Sequence, residues 1–242
     1  MPKKNIVELK IRVPKTLSDI KLGQYQEYAK VLKMNEDAGD SPEASEFLNK
    51  KALEIFCGLE LKDSYKIPLK DFMVILEHIQ RIFDQPTPLQ RHFKFMDLNK
   101  IEQLMGFIPN LETMTYGEYV DANNYFNDWD NAHKLMAVLY RPVRILSGEK
   151  YRIDDYEGTS VYGDAMREMP LDIVFGAKVF FYRLSTKLAK GILKSLENQE
   201  ELSSKSKEIL QKNGGGIQAF MHLQEETLEE LMNQQRFHSI TQ

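Results

Sequence analysis

The chain has 242 residues, 42% apolar and 28% charged, with 32 Lys and Arg against 36 Asp and Glu for a net charge of −4. This composition excludes wholesale disorder, a collagen-like fibre and a disulfide scaffold, and the slight acidity gives no bulk attraction to nucleic acid or anionic lipid. At roughly 150 residues per domain, the length allows one large domain or two small ones.

The N-terminus reads Met1-Pro2-Lys3-Lys4, and Glu8, Lys10 and Arg12 interrupt the stretch that follows. No signal-peptide core of about 7 apolar residues is expected there. A short extended segment ends at Pro14, and a helix opens near Gly23. A second helix carries the apolar face Leu53, Ile55 and Phe56. Beside them lies Cys57, the chain's one cysteine, read as a small buried hydrophobe. A lone cysteine excludes an intrachain disulfide and a thiolate zinc cluster. A third helix begins just after Pro68, where the missing N–H costs nothing. Its residues Leu69, Phe72, Ile75, Leu76, Ile79 and Phe83 recur at three- and four-residue spacing as one apolar stripe.

Asp84 to Gln90, with two prolines, reads as a linker. His92 to Pro109 alternates well enough for a β-hairpin, with a helical turn over Ile101 to Met105 as the alternative. Ile108-Pro109 then opens a segment that echoes the start of the chain. Leu111, Met114, Tyr116, Gly117 and Tyr119 align with Leu17, Ile20, Leu22, Gly23 and Tyr25. The block Lys134 to Leu139 likewise echoes Lys51 to Phe56. Met169-Pro170-Leu171, with Val174, Ala177, Phe181 and Arg183, echoes Ile67-Pro68-Leu69, with Phe72, Ile75, Ile79 and Arg81. Three blocks in one order predict a duplicated helical unit over about 11–85 and 106–187. Thr115 and Glu118 form a capping box at a helix start in the second unit. Tyr140 to Met169 reads as a polar, Gly-containing insertion without a counterpart in the first unit. The helix after Pro170, with Leu171, Val174, Phe175, Val179 and Tyr182, is apolar nearly all round and is expected at the centre of the protein. No window approaches the 18 or so uncharged apolar residues of a membrane span, since even Ile173 to Tyr182 contains Lys178. The tail from residue 197 holds a glycine hinge at 214–216 and an amphipathic helix over about 217–235. Its apolar residues Ile217, Phe220, Met221, Leu228 and Leu231 are the expected protein-interaction residues.

Several groups deserve weighing as chemistry. Asp128, Asp130 and His133 flank Trp129, but the calcium-loop spacing fails and the glycine is missing, so a polar helix connection anchored by Trp129 is the expectation. Asp154 and Asp155 would be the acids of a metal-dependent nucleic-acid enzyme. Neighbours on a strand point to opposite faces, so a solvated loop is the expectation. The glycines at 214–216 lack the flanking strand and Lys of a phosphate loop. Arg141, Arg144, Lys150 and Arg152 are basic, but Glu149, Asp154, Asp155 and Glu157 among them point to internal ion pairs rather than nucleic acid. The five histidines have no ligand spacing. Met96, Met105, Met114, Met136, Met166, Met169, Met221 and Met232 would suit an adaptable groove, although core filling is their ordinary role. No catalytic, cofactor-binding or metal-binding residue is assigned.

The pattern from Gly106 to Asp121, Leu135 to Pro142 and Met169 to Leu171 resembles proteins of the neck, tail and baseplate of tailed bacteriophages. The first unit, with Leu22-Gly23-Gln24-Tyr25, resembles the small baseplate-hub assembly chaperones of contractile-tailed phages. Two features depart from the simple chaperone: the unit appears twice, and an insertion divides the second copy. The resemblance implies a non-enzymatic protein of tail or virion assembly, either a structural component or an assembly chaperone. It would work in the host cytoplasm or travel in the virion. Other tail proteins are its expected partners, self-association is compatible with it, and membrane and nucleic acid are not expected. The alternatives are the Asp154/Asp155 nucleic-acid enzyme and a cytosolic adaptor unrelated to phage. The expected fold is mainly α with short β-hairpins (α+β): a first unit over 1–90, a second over 91–196, packed together, and a helical tail over 197–242.

Overall fold

A computed structural model describes residues 11–35, 41–96, 102–109, 114–148 and 150–183. The tail and its residues Ile217, Phe220, Met221, Leu228 and Leu231, with the hinge at 214–216, lie outside the described residues. The fold is α+β, mostly helical with one small antiparallel sheet.

The first helices form in chain order where local signals place them. A 3₁₀ turn at Leu17–Asp19 is held by the Asp19 carboxylate, which accepts from the Lys15 and Thr16 amides at 2.9 and 3.1 Å. Helix α1 (Leu22–Asn35) follows. Helix α2 (Pro42–Cys57) starts with Ser41 accepting from the Ala44 amide and Pro42 in the first turn. A single turn, α3 (Leu61–Ser64), leads to α4 (Leu69–Phe83), which begins directly after Pro68. The apolar stripe of α4 is not buried along its full length. Leu76, Ile79, Ile82 and Phe83 are buried, whereas Leu69 is exposed.

The sheet comes next. Strands β1 (His92–Met96) and β2 (Glu102–Phe107) pair antiparallel, so Ile101 to Met105 holds no helical turn from Glu102 on. Helices α5 (Tyr116–Phe126) and α6 (Ala132–Leu139) intervene before the chain returns as β3 (Tyr140–Ser147) beside β2. The capping box at α5 is present: the Thr115 amide donates to Glu118 Oε2 at 2.6 Å, and the Glu118 amide donates to Thr115 Oγ1 at 3.2 Å. Strand β4 (Lys150–Ile153) completes the order β1-β2-β3-β4. Residues 140–169 are therefore not only a polar insertion. They carry a hairpin whose alternation is hidden by Pro142 and by a bulge between Val143 and Ile145. Helix α7 is described over 171–183.

One face of the sheet turns Phe93, Phe95, Met105, Phe107 and Tyr140 inward. Tyr140 meets Phe93 and Phe107 edge to face, each at 5.2 Å between centroids, and Phe107 meets Phe180 of α7 at 5.6 Å. The helical side centres on Tyr25 of α1, which meets Trp129 at 4.7 Å, Phe175 of α7 at 5.3 Å and Phe83 of α4 at 6.0 Å. Such edge-to-face pairs each add about 0.5–1.5 kcal/mol beyond burial. Helix α7 is buried almost all round, as its composition predicts. The buried apolar residues of both segments, from Leu17 to Tyr182, form one core. The Asp84–Gln90 linker is part of this packing. The Pro88 carbonyl crosses α7 so closely that a Cβ on Gly176 would lie 2.5 Å from it. Gln90 donates to Asp172 Oδ2 at 2.9 Å and accepts from Tyr140 Oη at 2.7 Å through its backbone carbonyl.

The two repeated segments start helices at aligned places, α1 at Leu22 and α5 at Tyr116, then α4 and α7 directly after Pro68 and Pro170. The segments ahead of α1 and α7 also bond to each other. Lys21 and Pro170 form an antiparallel bridge, with the Leu22 amide donating to Met169 O at 2.9 Å and the Leu171 amide to Ile20 O at 3.0 Å.

Candidate functional site

The residues weighed for catalysis do not converge. Asp154 is gripped by Arg144 through Nε and Nη2, and it accepts from Tyr162 Oη at 3.1 Å. The Arg144 contact foremost holds its carboxyl below the usual range. Asp155, next to it, has a side chain 88% exposed and lies 3.8 Å from Arg152 Nη2. Asp128 is occupied in ending one turn and starting the next, accepting from the Asp130 and Asn131 amides and from Asn131 Nδ2. Asp130 faces Lys30 at 3.7 Å. Among the described residues, no group of three or more His, Cys, Asp or Glu is placed to hold a metal ion. Cys57 is buried, and burial pushes its thiol up to about 11.

Arg144 and Arg152 pair with the acidic neighbours Asp154 and Asp155, whereas Arg141 takes its partner from α5, outside the cluster. Arg141 pairs with Glu118 at 2.5 Å with both side chains buried, and it lies 5.5 Å from the centre of the Tyr156 ring. Tyr156 in turn donates to Asp121. Burial pushes the Glu118 carboxyl up, but the Thr115 amide and hydroxyl and the Arg141 guanidinium outweigh it, and its pKa is lowered. Arg141 Nε and Nη1 are buried with no hydrogen-bond partner among the described residues. Met105, Met136, Met166 and Met169 fill the core, while Met96 is exposed.

The surface that remains as a candidate lies on the outer face of the sheet. A depression of about 770 Å³ is lined by Arg91, His92, Leu104, Leu146 and Gly148. Its shape follows from the strands. Gly106 pairs with His92, and a Cβ there would meet Val143 Cγ2, Tyr151 and Ile153 at 2.8, 2.9 and 3.0 Å. The glycine lets the Tyr151 ring lie across β2. The ring packs edge-on against His92 at 4.1 Å, and its hydroxyl donates to Phe107 O at 2.6 Å. The bulge in β3 matters here too. Val143 pairs with Ile153 and Leu146 with Tyr151, so both lie on the same face of the sheet although three residues apart. Without the extra residue, Leu146 would turn to the other face. Leu146 and Met96 are more than half exposed beside half-buried Leu104. Burial and then the Arg91 charge lower the pKa of His92, so its ring is neutral near pH 7.

Two buried polar groups lie elsewhere. The ammonium of Lys178 sits 3.7 Å above the centre of the Trp129 ring and 5.4 Å from that of Phe126. Burial lowers its pKa to about 7, partly opposed by Asp128. At the junction of α1, α6 and the 3₁₀ turn Ala165–Glu168, Gln26, His133 and Arg167 form a network. Burial first, and the Arg167 charge next, lower the pKa of His133 to about 4. These partners are more than a hundred residues apart for Gln26 and His133, beyond the reach of any local pattern.

No described helix is long and apolar enough to cross a membrane. Comparison with family models, with curated proteins and with solved structures finds no match for the chain.

Proposed function

We propose that this chain is a non-enzymatic protein of tailed bacteriophages that acts through protein–protein contacts in assembling the tail, at the baseplate or neck. The observation that carries the reading is the outer face of the sheet, where Leu104 and Leu146 line a depression bordered by Arg91, and exposed Met96 lies on the same face of β1. Exposed apolar side chains grouped with a rim of charge are the ordinary composition of a protein-binding patch. The sequence resemblance to phage tail and baseplate proteins supplies the setting: the host cytoplasm during assembly, with other tail proteins as partners. The two weighed acids favour no nucleic-acid chemistry, since Asp154 is committed to Arg144 and Asp155 faces solvent.

The test is inactivation of the reading frame in its own genome, followed by electron microscopy of the lysate. Particles with absent or incomplete tails are expected, and a normal yield of complete infectious particles would overturn the reading. Mass spectrometry of purified virions then separates a stoichiometric component from a chaperone that leaves before the particle is finished.

A further inference from the structure

We infer that Gln26, His133 and Arg167 form an acid-sensitive latch that fastens the Ala165–Glu168 turn and the following bridge to α1, and that a second proton on the His133 ring opens it. The inference rests on donor and acceptor accounting. Gln26 is buried, and its orientation is fixed from both ends. Its Nε2 donates to the carbonyls of Trp129 and Asp130 at 2.8 and 3.0 Å, and its Oε1 accepts from Arg167 Nη1 at 3.0 Å. The same Nε2 lies 3.0 Å from His133 Nδ1, and Arg167 Nη2 lies 3.1 Å from His133 Nε2. Both ring nitrogens therefore face nitrogen donors. A guanidinium has no acceptor, and the amide nitrogen has none either. A neutral ring meets this with Nε2 accepting from Arg167, since both hydrogens of Gln26 Nε2 already go to carbonyls. An imidazolium has no acceptor at all, and each of its N–H groups would point at another N–H.

The charges around the ring agree with the hydrogen-bond count. Arg167 and Lys134 oppose a positive ring, Asp164 and Asp128 favour it, and burial and Arg167 prevail. Asp130 on the neighbouring turn is drawn toward Lys30. Arg167 is the movable member, with a side chain 42% exposed and Asp164 3.9 Å from its Nε. On protonation it swings to solvent, and the turn loses its side-chain tie to α1. What then holds the turn is the burial of Ala165 and Met166 and the two-bond bridge between Ile20–Leu22 and Met169–Leu171. In the open form His133 regains its ordinary value. Opening therefore increases about tenfold per pH unit from about 6.5 down to about 4, the limits set by the ordinary and closed values.

Hydrogen exchange of the full-length protein tests this between pH 7 and 4.5, after correction for the chemical exchange rate. The expected result is faster opening of segments 20–24 and 169–173 with acid in the wild type and a flat profile in His133→Gln, which keeps an acceptor toward Arg167 and does not titrate. Equal pH profiles in the two proteins, or a flat wild type, would overturn the latch. Arg167→Ala, read by an NMR titration of His133, covers the case in which His133→Gln does not fold. The His133 pKa should rise when the guanidinium is gone, and an unchanged value sinks the inference.

Discussion

Arg141 and Glu118 meet 2.5 Å apart as a buried pair, and the same carboxylate also closes the first turn of α5 by accepting from the Thr115 amide. One side chain thus neutralises a cation on β3 and caps a helix. Removing one member of a buried pair typically costs about 3–5 kcal/mol because the other charge is left without a partner. Glu118→Ala should fall in that range by chemical denaturation, with a loss below about 1 kcal/mol contradicting the pairing. The folded pKa of Glu118 is lowered, so the unfolded state binds the proton more readily. The stabilisation is present above the ordinary carboxylate range and disappears as the pH falls through the folded value.

Lys178 should show the opposite economy of charge. Its folded pKa of about 7 lies below the ordinary value of 10.5, so the unfolded state holds the extra proton between these limits. Wild-type stability should therefore rise as the pH climbs from about 7 toward 10. Lys178→Met should remove that slope and raise stability at neutral pH by about 1–4 kcal/mol, the range seen when buried ionic groups become apolar. Parallel denaturation curves at pH 7 and 9.5 check it. An equal gap between the two proteins at both values counts against a neutral folded lysine.

Gly106→Ala tests the crossing of Tyr151 over β2. The added methyl would enter a space bounded by three side chains at 3.0 Å or less. Overpacking of this kind costs about 1–3 kcal/mol. The expected readout is a lowered midpoint of thermal unfolding, together with exposure of the Tyr151 ring to solvent quenchers.

Leu146→Glu separates function from stability. Leu146 is 56% exposed, so the substitution should change stability by no more than about 0.5 kcal/mol. If the outer face of the sheet binds a tail protein, the variant should fail to complement a phage lacking the gene while remaining folded. Full complementation would remove this face from the proposal.

Local signals in the sequence were good guides to helix starts. Pro68 and Pro170 each precede a helix, and Thr115 with Glu118 caps another, because these choices are made within a turn of chain. The apolar composition of α7 likewise showed its burial. The β3–β4 hairpin was not legible, since a bulge breaks the two-residue period that marks a strand. The linker looked free but crosses Gly176, a contact set by packing rather than by prolines. The depression depends on Gly106 and Tyr151 meeting across strands, and no spacing along the chain encodes that. The residues that the sequence favoured for partner contact, Ile217 to Leu231, lie beyond the described part, so the sheet face came from the structure alone.

The bridge between Lys21 and Pro170 also imposes an order in time. A ribosome delivers Leu22 early and Met169 late, yet the Leu22 amide finds its acceptor only in Met169 O. Tyr25 waits in the same way for Phe175. Phe56 and Phe83 can cover Tyr28 and Tyr25 early, but the side of α1 that meets Phe175 stays open until nearly three-quarters of the chain has been made. Contacts of such long sequence separation are slow to close. A chain stalled midway would leave that side of α1 exposed and open to aggregation.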